Sequence, residues 1–457
     1  MSSVDQSLHA CADLFCAYHD ELDDQVARER WLEWEREPGG GWESLKSSFR
    51  DDVIAGKSAL SISMRVDNGD DRPRRLYAAL RGMDEAFRYV NPILKGNERT
   101  PRALVRLEAH VAAPARLDSG ANGGALIPRL VRRDDPVGEV EHKRDLFSYV
   151  QRVPAGSWDR SEIQVLDASV AIESHDLLAG LDIACVPVIA DPSEMRFETR
   201  EIDGRRCYRI SPRDLARTRE RIPEIVAALD ASGAIIALAP EATLIPTLLE
   251  CWQESLRLRR ATSLRWVLAG SGDLTPGGKH SSNTAVLLDG RTGQVIGSQH
   301  KLYPFNLSAE IIERWDLSGH FGKHAMGEDL APVERILTVF DAGAIRAAIV
   351  ICEDLNKPLD LGPLIRDLGI SHLFVPVFSR QIKPHRWEQT AAAVHARATG
   401  TTVTVTNSMI IATALGDHDP GTALAITPGE PAVIGRSAGP ADMVCFRLLP
   451  DGTVELH

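Results

Sequence analysis

At 457 residues the chain is longer than one hydrophobic core usually supports, so two domains are expected. Its apolar fraction of 44% and charged fraction of 25% are those of an ordinary globular protein, and no apolar run approaches the roughly 20 residues that cross a bilayer, which excludes a membrane-spanning helix. A formal net charge of -12 opposes attraction to phosphate backbones and argues against nucleic acid as a partner.

Residues 1–175 are expected to form a mainly helical accessory domain of unassigned role. Leu8, Phe15, Tyr18, Leu22 and Val26 recur at spacings that predict one amphipathic helix or two shorter ones, stopped at Pro38-Gly39-Gly40-Gly41. The opening stretch is acidic where a secretory signal would be basic and then apolar, so export is not expected. Trp31, Trp34 and Trp42 suit a core better than an interaction patch. A second helix is predicted over Arg75 to Tyr89, a flexible loop over Asp118 to Gly124, and a solvent-facing cluster at Arg129, Arg132 and Arg133.

From Leu181 to His457 apolar strands alternate with amphipathic helices, the pattern of an α/β domain. Leu181 to Ile189 reads as a strand, followed by a charged insertion, Asp191 to Ile210. A helix is predicted to start at Ser211-Pro212-Arg213-Asp214, which offers a capping hydroxyl, a proline and an acid in order, with a kink at Pro223. Ala234 to Ala239 is a buried strand ending at Pro240-Glu241. A helix over Leu244 to Leu258 and a strand over Arg265 to Ala269 lead to a turn at Gly270-Ser271-Gly272. Asn283 to Leu288 and Gln294 to Ser298 form a hairpin that delivers His300-Lys301, and the strand Ile345 to Ile351 presents Cys352-Glu353-Asp354. Helices near Asp360 to Leu368 and Trp387 to Thr399, with strands over His372 to Val377 and Thr402 to Thr406, complete the alternation.

Ligands of α/β folds gather at the carboxyl ends of strands, where Glu241, Lys301 and Cys352 all fall. Taken singly, these would be a helix cap, a solvated lysine and a buried filler. Together they make a chemical set. A thiol must lose its proton to attack, a cation favours the thiolate, and a carboxylate can carry the proton to a leaving nitrogen. Cys352 is therefore the expected nucleophile, Glu241 the proton carrier and Lys301 the oxyanion partner, with the backbone N–H of Glu353 as a second oxyanion donor. The seven cysteines (Cys11, Cys16, Cys185, Cys207, Cys251, Cys352 and Cys445) are scattered and odd in number, which fits reduced thiols in a cytoplasm. His320 and His324 are helically spaced, but Gly319, Gly322 and the lack of a third ligand argue against a metal site.

Three strings resemble the motif regions of the nitrilase or carbon-nitrogen hydrolase superfamily, in its order: Ile236 to Ala242, Gln299 to Phe305 and Val350 to Leu355. The strings Ser282 to Leu288, Val375 to Ser379, Arg386-Trp387 and Asn407-Ser408 are similar to its connecting segments, and the resemblance spans roughly Leu181 to His457. It implies a four-layer α-β-β-α sandwich, a Glu-Lys-Cys catalytic set, no metal or organic cofactor and a homo-oligomer. It also implies a second glutamate, matched best by Glu310 with Glu313 as fallback, and makes Tyr303 and Ser379 candidates for substrate contact. The Cys-Glu-Asp form resembles the glutamine-hydrolysing domains of NAD synthetases, although no ATP-using domain follows.

The expected activity is hydrolysis of a non-peptide carbon-nitrogen bond in a small amide or nitrile through a cysteine thioester. Acyl transfer, or ammonia supply from glutamine, would use the same site. A catalytically idle scaffold, binding a protein partner through its N-terminal domain, is the reading from another class; the joint presence of Glu241, Lys301 and Cys352 speaks against it.

Overall fold

The computed structural model describes residues 3–68, 70–87, 124–128, 143–154, 163–168, 180–259, 263–275, 280–331, 335–342, 345–417, 419–449 and 452–457. Apart from Gly124, the loop expected over 118–124 and the Arg129, Arg132 and Arg133 cluster lie outside the described residues. The chain divides into two compact units near Arg160.

The first unit is mainly helical. Helices α1 (Ser3–Glu21), α2 (Asp24–Glu35), α3 (Gly41–Ile54), α4 (Ala59–Asp67) and α5 (Arg72–Phe87) are joined by a strand pair, β1 (Gly124–Pro128) and β2 (Val150–Pro154). Of the one or two helices the spacing allowed, the structure forms two, parted at Asp23, whose carboxylate accepts from the backbone N–H groups of Gln25 and Val26 and so caps α2. Trp31, Trp34 and Trp42 are core residues, Trp42 stacking on Tyr77 with ring centroids 5.2 Å apart. Buried Asp84 accepts from the N–H groups of Ser148, Tyr149 and Val150, satisfying donors that water cannot reach.

The second unit holds two seven-stranded sheets among its described residues. One orders β10 (Val295–His300), β9 (Thr284–Asp289), β8 (Trp266–Gly272), β7 (Ile236–Leu238), β4 (Leu181–Cys185), β19 (Val444–Leu448) and β20 (Val454–Leu456). The other orders β18 (Val433–Arg436), β17 (Gly421–Ile426), β16 (Thr402–Asn407), β15 (His372–Val377), β14 (Arg346–Ile349), β13 (Leu337–Asp341) and β3 (Ile163–Asp167). The sequence division at 175 placed β3 in the N-terminal region, but it pairs in parallel with β13 as an edge strand of this unit.

The sheets pack face to face, and their closest approaches need residues without a side chain. A Cβ on Gly297 of β10 would stand 2.3 Å from Leu166 of β3, and one on Gly435 of β18 would stand 2.0 Å from Val444 of β19. On the outer face of the first sheet, Ala184, Ala237, Ala239, Val267, Ala269, Val286 and Leu288 meet Ile222, Val226, Leu229, Leu248, Trp252 and Leu256 from helices Ala216–Ala231 and Pro246–Arg259. Helix Trp387–Thr399 packs on β16 and β17 of the second sheet, completing an α-β-β-α sandwich.

Two local expectations are corrected. Ser211 and Pro212 do not open a helix: they close β6 (Arg205–Pro212), which pairs with β5 (Met195–Ile202) in a long hairpin, and the helix starts at Ala216. Strand pairing from Met195↔Pro212 to Ile202↔Arg205 overrides the local capping signal. Gly270 to Gly272 is the bulged end of β8 rather than a free turn, because a Cβ on Gly272 would lie 2.0 Å from the Leu244 carbonyl.

Candidate active site

Pro240 has no N–H to give a neighbouring strand, so β7 stops at Leu238 and the chain turns, placing Glu241 at the strand's carboxyl end. The β9–β10 hairpin brings Lys301 to the same end, and β14 is followed by a 3-10 turn, Cys352–Asn356, that begins at the thiol. The backbone is left-handed at Ala242 (φ 59°), Asn283 (φ 30°) and Cys352 (φ 51°), a conformation costing non-glycine residues about 1–3 kcal/mol each. Three such residues around one cleft show that the fold holds these side chains against local preference.

Glu241, Lys301 and Cys352 converge in one cleft. All are buried, at 4%, 2% and 5% exposure. Lys301 Nζ donates to Glu241 Oε1 at 2.7 Å and to Glu328 Oε2 at 2.7 Å. Asn283 Nδ2 bridges the same acids, at 3.0 Å from Glu241 Oε1 and 2.8 Å from Glu328 Oε1. The Phe378 N–H donates to Glu241 Oε2 at 2.9 Å, and Cys352 lines the same cleft as Glu241, Lys301 and Phe378.

Burial pushes the Cys352 thiol well above the usual thiol range and the Glu241 carboxylate pushes it further, against the pull of Lys301 and the Phe378 N–H. The resting sulfur is therefore a thiol, lying beside Glu241 in the cleft. Burial alone would lower the Lys301 ammonium, but Glu241 and Glu328 outweigh it and hold Lys301 well above the usual lysine range. Two of its three donors are spent on the two carboxylates, leaving one to aim at a substrate oxygen.

The second glutamate is where the sequence expectation fails. Glu310 and Glu313 are exposed on the short helix Ala309–Arg314, and neither lines the cleft. The acid on Lys301 is Glu328, 27 residues along the chain. Glu328→Gln should change the rate at which iodoacetamide alkylates Cys352 by about tenfold, the scale of a small misplacement. Glu310→Gln should leave it within about twofold, as surface changes do; peptide mass mapping compares the two.

Other candidates are placed differently from expectation. Tyr303 is outside the cleft lining, its hydroxyl donating to Asp360 at 2.9 Å and its ring lying under Arg335. Ser379 lies behind the cleft, donating its hydroxyl to buried Glu388 at 2.6 Å and its N–H to Asn407. The Glu353 side chain pairs with Lys357, and its backbone follows the nucleophile directly. His320 stacks on Phe197. The sequence reading missed Asn283 and the Phe378 N–H: Asn283 reads only as the start of a hairpin strand, and a backbone N–H leaves no mark in a side-chain pattern.

Asp354, fully buried, fastens the Lys301 loop to the Cys352 turn by accepting from the N–H groups of Ile351, Leu302 and Tyr303. Burial pushes its carboxyl up to about 7, against Lys301 and these three amides, from a usual 3.8. Between those values the folded chain holds a proton that the unfolded chain has lost, so this group makes stability fall as pH rises. Asp354→Asn should flatten that slope, read from urea midpoints at about pH 5 and about pH 7.5; an unchanged slope would contradict the assignment.

No family model matches the chain, and no curated protein matches it. Among solved structures it is similar to an amidase from Nesterenkonia sp., at 16% identity over 60% of this chain and 92% of that one, with a TM-score of 0.40. It is also similar to Saccharomyces cerevisiae Nit3, a member of branch 10 of the nitrilase superfamily, at 13% identity over 61% and 93%, with a TM-score of 0.42. A glutamine-dependent NAD+ synthetase from Acinetobacter baumannii matches at 14% identity over 59% of this chain and 45% of that one, with a TM-score of 0.38. Likeness this distant assigns no chemistry; the side chains described above carry it.

Proposed function

We propose that the second unit is a cysteine-dependent carbon-nitrogen hydrolase of the nitrilase type acting on a small amide. The observation that carries this reading is the convergence of buried Cys352, Glu241 and Lys301 on one cleft, with Lys301 Nζ 2.7 Å from Glu241. The Cys352 sulfur attacks the amide carbon as its proton passes to Glu241, and the oxygen that gains charge takes the remaining Lys301 donor. Glu241 then gives its proton to the leaving nitrogen, releasing ammonia or an amine and leaving a thioester. Water, losing a proton to Glu241, attacks the thioester, and the collapsing adduct frees the acid and restores the thiol. The backbone N–H of Glu353 serves as the second oxyanion donor.

The lining narrows the substrate. Phe305, Trp315 and Phe378 form an apolar side, whereas Lys301 is committed to Glu241 and Glu328, and Arg209 to Asp273 and Asp329. Both lining cations are thus neutralised, which favours an uncharged amide over one carrying a carboxylate. A panel of neutral amides, carbamoyl compounds, glutamine and nitriles, read by ammonia release with the full chain, tests this. Release from neutral amides supports the reading, and inertness toward the whole panel refutes it.

A further inference from the structure

The charged insertion of the sequence, Asp191 to Ile210, becomes the β5–β6 hairpin, and it reaches the cleft. Its strand β6 pairs in parallel with β12 (Met326–Glu328), setting Cys207 beside Gly327 and Tyr208 beside Glu328. The Tyr208 carbonyl accepts from the Asp329 N–H at 2.8 Å. The Tyr208 hydroxyl donates to the Phe305 carbonyl at 3.2 Å, while the Phe305 N–H donates to Glu328 Oε2 at 2.9 Å. Glu328 is therefore held along a strand that the hairpin supplies.

The next residue, Arg209, grips two acids at once. Its guanidinium lies 2.9 Å from Asp329, the neighbour of Glu328, and 2.9 Å from Asp273. Asp273 accepts from the Ser282 N–H at 3.4 Å, and Ser282 precedes Asn283, the side chain that bridges Glu241 and Glu328. Asp329 also takes Arg200 of the same hairpin, His280 and the Ser281 N–H. One guanidinium thus ties together the two segments that carry Glu328 and Asn283.

Resting on the site described above, we propose that Arg209 is a positioning residue: through Asp329 and Asp273 it sets Glu328 and Asn283 against Lys301 and Glu241, making the inserted hairpin part of the catalytic machinery. An arginine suits the position because its planar guanidinium presents N–H groups in a fixed fork, one toward each acid, whereas a lysine ammonium would have to reach both from a single point.

The test uses the full-length chain and the rate of Cys352 alkylation by iodoacetamide across pH, followed by intact mass, which needs no knowledge of the substrate. If Arg209 acts through Glu328, Arg209→Met moves the profile in the same direction as Glu328→Gln, and the double variant matches Glu328→Gln alone, because residues in one network are not additive. A change of about tenfold in rate is expected at the most affected pH, given what small misplacements cost. Arg209→Lys should recover part of it. Loss of the Arg209 charge acting directly would instead make the thiol harder to ionise and multiply with Glu328→Gln, and that result, or an Arg209→Met profile identical to the parent, overturns the proposal. Should Arg209→Met fail to fold, Asp329→Asn, which cuts one arm of the grip, is judged on the same criteria. A parent chain whose Cys352 alkylates with this dependence yet releases ammonia from no amide would sink the functional reading alone.

Discussion

Replacing Cys352 with alanine should abolish amide turnover while leaving the fold in place. The thiol forms the covalent bond in the proposed cycle, and removing a nucleophile of this kind lowers the catalysed rate by a factor on the order of 10⁵ or more. Stability should change little. Alanine meets the same left-handed φ of 51° that cysteine already tolerates, and the lost sulfur sits at the edge of a cleft rather than among packed aliphatics. Ammonia release and a thermal melt, run side by side, check both halves; a folded Cys352→Ala chain that keeps parental turnover contradicts the mechanism.

Lys301→Met should fail in both respects. The substitution keeps the aliphatic stem but removes the ammonium that sits 2.7 Å from Glu241 and 2.7 Å from Glu328, leaving buried Glu241 and part-buried Glu328 bridged only by Asn283. Breaking a buried pair from one side typically costs about 3–5 kcal/mol, because the remaining charge is uncompensated. The same change removes an oxyanion donor, worth about 3 kcal/mol of barrier. A urea midpoint that drops at constant m-value, together with lost turnover in the folded fraction, is the expected result. A variant as stable as the parent would show that the two acids do not depend on Lys301.

How much of this was legible in the sequence follows from what each residue's local context encodes. Glu241 and Cys352 each follow an apolar strand and Lys301 follows a hairpin, so the alternation of strands and helices marked all three as lying at strand carboxyl ends. Strands such as His372–Val377 and helices such as Trp387–Thr399 fall where their periodicity and termini put them. Glu328 carries no such signal. It sits on a three-residue strand reached through short elements, and pairing with the inserted hairpin on one side and with Asn306–Leu307 on the other brings it to Lys301. The misplaced helix start at Ser211 has the same origin, since hairpin register is a non-local property that a capping pattern cannot reveal. Tyr303 shows the converse: it lies in a motif string, yet its hydroxyl turns to Asp360 and away from the cleft.

The central claim is that an acyl group passes through Cys352. During turnover of a small neutral amide, acid quenching followed by peptide mass mapping should show the Cys352 peptide carrying the substrate's acyl mass, released by hydroxylamine and missing from the Cys352→Ala chain. Steady ammonia release with that peptide never modified, and with Cys352→Ala still active, would contradict the account.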